Sequence, residues 1–185
     1  MTRASAPTIS IRLPTTRPPE TEGAPAFTVD GPIAGKVAGL RTDMAWRSWR
    51  FIAKDWAERL HAGGATTLEI ETGAQVGKEG HDDRETVDAW SERVDFGIVG
   101  LGTCGSCTSF SVADAVALEA HNKPSLVVVC SEFETHARNM ARFIGHPDLK
   151  VLVLPYPLEA RPEHELLEIA DEYYPQALEL LGVQQ

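Results

Sequence analysis

Cysteine, aromatic residues and positive charge are all scarce in this sequence of 185 residues. Three cysteines are too few for a disulfide-stapled secreted scaffold, which carries more of them in a shorter chain. The 17 Lys and Arg against 27 Asp and Glu give a formal charge of −10, which argues against a nucleic-acid binder or an anionic-membrane binder. The apolar runs reach only strand length, so no transmembrane helix is predicted. We therefore expect a protein that binds neither nucleic acid nor a membrane.

The remaining composition is that of an ordinary globular domain, with 43% hydrophobic and 24% charged residues. The first ten residues are mixed and polar and lack the apolar core of a signal peptide. These features predict a cytoplasmic protein whose thiols can stay reduced.

Proline is concentrated at the N-terminus, where residues 1–34 hold six of the 12 prolines. Such a segment cannot propagate a helix and buries little, which predicts an extended or disordered arm. An arm that wraps a neighbouring subunit remains the alternative. Residues 35–185 are predicted to form a single α/β domain.

The rest of the chain alternates short apolar strands with helices. Strands are predicted at residues 36–40, 66–70, 96–101, 126–130 and 151–154, and helices at 44–62, 83–93, 109–121, 134–144 and 163–181, the last with a kink or break at Pro175. The alternation predicts a doubly wound, mainly parallel five-stranded sheet covered on both faces. The flavodoxin-like strand order 2-1-3-4-5 and a Rossmann-like order both remain open.

In either order, ligands bind in the loops at the carboxyl ends of the strands. Those loops are residues 41–43, 72–80, 102–108, 131–136 and 155–157. In the flavodoxin-like order the first and third loops face each other, which would bring Arg41 and Asp43 close to Cys104. Arg41 could then hold a substrate carboxylate in bidentate fashion.

A C-x-x-C motif, Cys104-Gly105-Ser106-Cys107, occupies the predicted junction of the third strand and its helix. Free amides and the helix dipole favour a thiolate there, so a lowered pKa is expected for Cys104 or Cys107. The thiolate is a nucleophile, and the second thiol can resolve an adduct on the first. Gly105 lets a ligand approach the backbone, and hydroxyls surround the developing charge. The hydroxyl residues are Thr103, Ser106, Thr108 and Ser109.

Further candidates follow the fourth strand. Glu132 or His136 could transfer a proton near Cys104, although acidic residues early in a helix are also favoured by its dipole alone. Cys130 ends a buried strand, so it is interpreted as inert core rather than as a third redox thiol. No metal site is predicted, because a structural zinc site needs four ligands and no second C-x-x-C or H-x-x-x-H is present.

Residues 95–121, DFGIVGLGTCGSCTSFSVADAVALEAH, resemble the segment around the U-G-S-C signature of the UGSC-type selenoproteins and their cysteine homologues. The similarity continues through Glu132-Phe133-Glu134 to Gly145 and on to the sequence PYPL at 155–158, and covers most of residues 36–158. A more distant similarity is to the selenoprotein of glycine reductase component B, which cleaves carbon–nitrogen bonds reductively through a selenium-bound intermediate.

The resemblance implies a role for each matched residue. Cys104 stands where the family has selenocysteine and would be the attacking atom, Gly105 and Ser106 match the turn, and Cys107 matches the second thiol. Tyr156 stands where the related pattern reads Pro-His-Pro, so an acid at that position would be weaker here.

The leading hypothesis is a thiol-dependent reductase or reductive-cleavage enzyme. Cys104 attacks a small organic substrate, Cys107 resolves the adduct, and an external thiol reductant or carrier protein resets the enzyme. No other cofactor is predicted, and a homo-oligomer is expected. The alternatives are a persulfide carrier, cysteine-based proton transfer of the racemase or decarboxylase kind, and a non-enzymatic redox switch.

Overall fold

The computed structural model of the protein describes residues 27–73 and 77–183. Within these ranges no helix is both long and apolar enough to cross a bilayer. The strands are β1 (Val37–Asp43), β2 (Thr66–Thr72), β3 (Phe96–Gly102), β4 (Ser125–Cys130) and β5 (Lys150–Leu154). The helices are α1 (Arg47–Ala62), α2 (Gly77–Arg93), α3 (Gly105–Ala120), α4 (Glu134–Phe143) and α5 (Glu163–Leu181), with a 3-10 turn at Ser131–Phe133 before α4.

The five strands form one parallel sheet in the order β2-β1-β3-β4-β5. This order selects the flavodoxin-like arrangement of the two that the sequence left open. The predicted doubly wound α/β class is confirmed. The chain places β2 on one side of β1 and β3 on the other, so the strand order reverses at β1 and β3. The carboxyl ends of these two strands flank the crevice where such folds bind ligands.

Alternate strand residues face opposite layers because side chains in a strand alternate between the two faces of the sheet. Ile98 belongs to the core beneath α1 and α5, whereas Val99 belongs to the core beneath α2, α3 and α4. The run Leu126–Cys130 is buried on both faces, as a central parallel strand requires.

Two tryptophans of α1 lie at the centre of the first core. Trp49 and Trp56 are fully buried and meet edge to face with ring centroids 5.6 Å apart. The Trp56 indole N–H donates to the carbonyl of Ala170 in α5 at 2.9 Å. A β-carbon on Gly100 would lie 2.5 Å from the Trp49 ring, so close packing of α1 on β3 requires glycine there.

Two predicted boundaries at the binding edge are wrong. β1 continues through the predicted loop 41–43, and α3 begins at Gly105 rather than Ser109. β1 extends because Arg41 has a buried tertiary partner on α3. α3 begins early because of local contacts, since Cys104 caps the helix and Thr108 donates to the Cys104 carbonyl. The second helix likewise begins at Gly77, earlier than predicted.

Of the kink or break predicted at Pro175, the break is wrong, because α5 is one continuous helix from Glu163 to Leu181. Residues on both sides of the proline are buried against the sheet, among them Ile169 and Leu178. Tertiary packing therefore outweighs the loss of one backbone hydrogen bond.

The described part of the predicted arm packs against the domain. Val29 and Ile33 are buried, and the Val29 amide donates to the carbonyl of Leu181 at 2.8 Å. Residues 1–26, which carry most of the predicted arm, lie outside the described residues.

Gly39→Ala is expected to destabilise the protein by about 1–3 kcal/mol, because its β-carbon would overlap the indole ring of Trp90, which is itself buried. Urea unfolding measures the change. Gly105→Ala is the matched control, since a β-carbon there meets no atom within 4 Å. Equal unfolding midpoints for wild type and Gly39→Ala would contradict the packing account.

Candidate functional site

The CGSC turn lies at the carboxyl end of β3, where the chain enters α3. Cys104 is the N-cap residue, and its Sγ accepts a hydrogen bond from the backbone amide of Cys107 at 3.1 Å. The Ser106 hydroxyl lies 3.4 Å from the same sulfur. A helix N-terminus leaves amide donors without intrahelical partners, so it stabilises negative charge on the atom that caps it. The predicted location of the CGSC turn, at the junction of the third strand and its helix, is confirmed.

The two cysteines form a disulfide across this first turn, with Cα atoms 5.2 Å apart. Cys107 is buried at 9% exposure, whereas Cys104 is half-buried. A reagent that reaches the pair from solvent therefore meets the Cys104 sulfur first.

The hydroxyl residues of the motif divide into two groups. Thr108 is fully buried and donates its hydroxyl to the Cys104 carbonyl at 2.7 Å, so it supports the turn from within. Thr103 accepts a hydrogen bond from the Cys130 thiol at 3.4 Å. Ser106 is exposed beside the Cys104 sulfur, so it is the hydroxyl available to a bound molecule.

The two glycines around the turn have different roles. A β-carbon on Gly102 would lie 2.7 Å from Val129 and 2.9 Å from the Thr108 hydroxyl, so packing requires this glycine. A β-carbon on Gly105 would meet nothing within 4 Å. The space above Gly105, next to Cys104, is therefore open, and the approach of a ligand to the backbone there stays a prediction.

His136, in the first turn of α4, contacts the CGSC turn from the neighbouring loop. Its Nε2 lies 2.9 Å from the Ser109 hydroxyl and 3.1 Å from the Gly105 carbonyl. The Ser109 hydroxyl also donates to that carbonyl at 3.1 Å. A carbonyl only accepts, so a proton on Nε2 satisfies all three contacts and leaves Nδ1 as the acceptor of the neutral ring. The structure thus brings His136 and Ser109 together with the cysteine turn.

Glu132 and Tyr156 lie farther along the same edge of the sheet. Glu132 is exposed on the 3-10 turn after β4. Tyr156, 49% exposed after β5, packs its ring against Phe133 with centroids 6.2 Å apart. The aromatic pair marks the β4–β5 end of the edge.

Arg41 is fully buried within β1, which corrects its predicted place in an exposed loop. Its Nε lies 2.9 Å from a carboxylate oxygen of Asp114 and donates to the Thr72 hydroxyl at 2.7 Å. Its Nη1 donates to the carbonyl of Gly100 at 3.0 Å and to the Ser111 hydroxyl at 3.4 Å. Most donors of the predicted carboxylate clamp are therefore engaged within the protein.

Asp43 is likewise buried at the end of β1, and its carboxylate accepts the Ala45 amide at 2.8 Å. This hydrogen bond lies in the connection between β1 and α1 and not at the CGSC turn. Three buried polar atoms of the described residues lack a hydrogen-bond partner, and all belong to this stretch: Arg41 Nη2, Trp46 Nε1 and Ser48 Oγ. Buried side chains that could still form a hydrogen bond therefore lie between the end of β1 and the start of α1.

Cys130 is fully buried at the end of β4, in agreement with its interpretation as a core residue. Burial raises the pKa of its thiol, and the hydrogen bond to Thr103 offsets this only in part. The thiol form is therefore favoured, and a thiolate is the reactive form of cysteine.

Sequence reasoning missed Ser111 and Asp114, the partners of Arg41 on α3. The signal was available, because both are polar residues three positions apart on the apolar inner face of a helix. Within the part of the chain that the structure describes, no three His, Cys, Asp or Glu side chains gather in a metal-binding group. A cavity of about 390 Å³ between α2 and α3 has Asp114 in its wall but none of the CGSC residues.

The fold and this site define a doubly wound α/β protein with a cysteine pair at a helix N-terminus. Residues 10–183 match the model of the UGSC family, and the chain belongs to that family. The sequence resemblance to UGSC-type proteins is thereby confirmed.

Two solved structures are similar to this chain at a low level. A mutant flavo di-iron protein from Thermotoga maritima is 16% identical with a TM-score of 0.44, over 82% of this chain and 36% of that one. A protein assigned as a D-3-phosphoglycerate dehydrogenase oxidoreductase from Ralstonia solanacearum is 16% identical with a TM-score of 0.39, over 81% and 46%. The chain thus spans less than half the length of either. Curated protein sequences gave no significant match.

Asp114→Ala is expected to cost about 3–5 kcal/mol, because it leaves the buried Arg41 charge without its carboxylate. Urea unfolding measures the loss. Glu134→Ala is the matched control, since its ion pair with Arg138 is exposed and worth at most about 1 kcal/mol. A loss no larger than the control's would show that Arg41 is not held by this pair.

Proposed function

We propose that this protein is a thiol-dependent enzyme that reduces or reductively cleaves a small organic substrate. Cys104 is the nucleophile, and Cys107 is the resolving thiol. The observation that carries the proposal is the hydrogen bond from the Cys107 amide to the Cys104 sulfur at the start of α3. That amide lowers the energy of a negative charge on the attacking atom.

The order of the two cysteines follows from their accessibility. Cys104 is half-buried below the open space at Gly105, so a substrate can reach its sulfur. Cys107 is one turn inside the helix and nearly buried, yet close enough to bond to Cys104. A thiol that only its neighbour can reach suits intramolecular resolution.

The two steps balance without a metal or a bound redox group. The Cys104 thiolate attacks atom X of a substrate bond X–Y, so the S–X bond forms and Y leaves with the electron pair and takes a proton. Cys107 then attacks the Cys104 sulfur, which forms the disulfide and releases X with the electron pair and a second proton. The sum is two thiols plus X–Y giving one disulfide, X–H and Y–H. An external dithiol, either a small molecule or a carrier protein, reduces the disulfide again.

Substrate charge would be held by the amide groups at the start of α3 and the Ser106 hydroxyl, which lies beside Cys104. Thr108 acts indirectly because its hydroxyl is engaged by the Cys104 carbonyl.

Reduced protein is expected to contain one thiol that iodoacetamide alkylates rapidly, and Cys104→Ser is expected to abolish that rapid phase. Cys107→Ser should keep the rapid phase and, with oxidised glutathione, accumulate a mixed disulfide that wild type resolves. Mass spectrometry identifies the labelled residue. Cys130→Ala is the control, because the buried Cys130 thiol should react only after unfolding.

A rapid phase that survives in Cys104→Ser would refute Cys104 as the nucleophile. If the purified protein carries an added sulfur atom on Cys104 and delivers it once without turnover, the protein is a sulfur carrier and not an enzyme. A disulfide that forms but only changes binding to a partner would favour the redox switch.

His136→Gln is expected to slow the oxidation of the reduced pair by oxidised glutathione. The reason is that His136 contacts the CGSC turn and can donate a proton to the departing group; general acid catalysis contributes about 10²–10⁴-fold. Stopped-flow rates against pH are the measurement. Glu132→Gln, on the exposed turn beside it, is the control, and equal effects from both substitutions would contradict a specific role for His136.

A further inference from the structure

The outer face of α1 carries a stripe of six side chains whose spacing follows the helical repeat. In order along the helix they are Arg47, Arg50, Phe51, Lys54, Asp55 and Glu58. The opposite face of α1, with Trp49, Ile52 and Trp56, is the one buried on the sheet. Most of the stripe therefore faces away from the sheet, while the half-buried Phe51 ring also packs against the first core.

The charges on this stripe are separated along the helix. The first half carries Arg47, Arg50 and Lys54, and the second half carries Asp55 and Glu58. A helix dipole favours acidic residues in the first turn, and α1 has none there. Local helix stability therefore does not explain why the basic half comes first in a chain with a formal charge of −10.

The stripe is also grooved and apolar at its centre. A depression of about 350 Å³ is lined by Arg47, Arg50, Phe51 and Lys54. A second depression of about 220 Å³ continues from Phe51 and Lys54 along the acidic half to Leu167 of α5, which is 38% exposed. Basic, apolar and acidic surface thus follow one another along a single face.

We propose that this face binds a second copy of the chain, with the two α1 helices packed antiparallel about a two-fold axis. An axis through the midpoint between Phe51 and Lys54 places Arg47 opposite Glu58 of the second copy and Arg50 opposite its Asp55. Phe51 then lies opposite Lys54 of the second copy, a cation beside an aromatic ring. Each contact occurs twice, so one stripe supplies both sides of a self-complementary interface.

The partners that these side chains have within the chain are exposed and weak. Arg50 lies 3.3 Å from Glu71, with both side chains about half exposed, and the Arg47 guanidinium lies 4.7 Å from the Phe51 ring centre. Asp55 lies 2.6 Å from Arg59 in a partly exposed pair. Exposed ion pairs contribute at most about 1 kcal/mol each, so the second copy can share or replace them.

The proposed interface does not involve the CGSC turn. Helix α1 covers the face of the sheet opposite to α3 and α4, which carry Cys107 and His136. Both sites of such a dimer stay open to solvent, so the dimer stands or falls independently of the proposed thiol chemistry.

The test is analytical ultracentrifugation of the full chain over a range of protein concentrations. We expect a dimer that weakens as salt rises, because exposed charges attract less under screening. Arg47→Glu is expected to raise the dissociation constant about tenfold or more, since the two-fold axis makes one substitution act twice. Glu58→Arg should do the same, and the double variant Arg47→Glu/Glu58→Arg should restore wild-type dimerisation.

Two further variants keep the result interpretable. Arg142→Glu makes the same charge change on the exposed face of α4 and should leave the dimer intact. Lys54→Glu tests the centre of the stripe if Arg47→Glu lowers the melting temperature of the monomer. A monomeric wild type, a dimer insensitive to Arg47→Glu and Lys54→Glu, or a double variant that fails to recover would each overturn the proposal.

Discussion

The guanidinium group of Arg41 joins four elements at the carboxyl end of the sheet. It binds Asp114 and Ser111 on α3, the Thr72 hydroxyl at the end of β2, and the Gly100 carbonyl on β3, while its own backbone belongs to β1. A buried charge is tolerated only when it is paired and hydrogen-bonded, so Arg41 has to keep this arrangement of partners in the folded chain. The position of α3 relative to the three strands depends on that arrangement.

The chemistry proposed for the protein depends in turn on where α3 begins. Cys104 caps the helix and accepts the Cys107 amide, and Thr108 fastens the turn through the Cys104 carbonyl. His136 approaches from α4 because β4 lies next to β3 in the sheet. The residues proposed as nucleophile, resolving thiol and proton donor thus lie at two adjacent strand ends, where doubly wound folds generally place their sites.

The sequence located the cysteine turn but misjudged the setting of Arg41. Cys104 was placed correctly because an apolar run with small residues precedes it and a helical pattern follows it. Arg41 follows the predicted strand 36–40 and is charged, so the local pattern ends the strand before it, although β1 continues to Asp43. The carboxylate that makes its burial favourable is Asp114, which lies 73 positions farther along the chain, and no short-range pattern reports such a partner.

Local residue patterns by themselves determined the alternation of strands and helices, the parallel sheet with two cores, the family membership and the cysteine turn at a helix start. These properties follow from the period of apolar residues and from a contiguous motif, which are local. Tertiary structure alone decided the strand order, the burial of Arg41 and the contact of His136 with Ser109. Each of those depends on which distant segments lie side by side, because the hydrogen bonds and charge pairs that select them form only when the chain has folded.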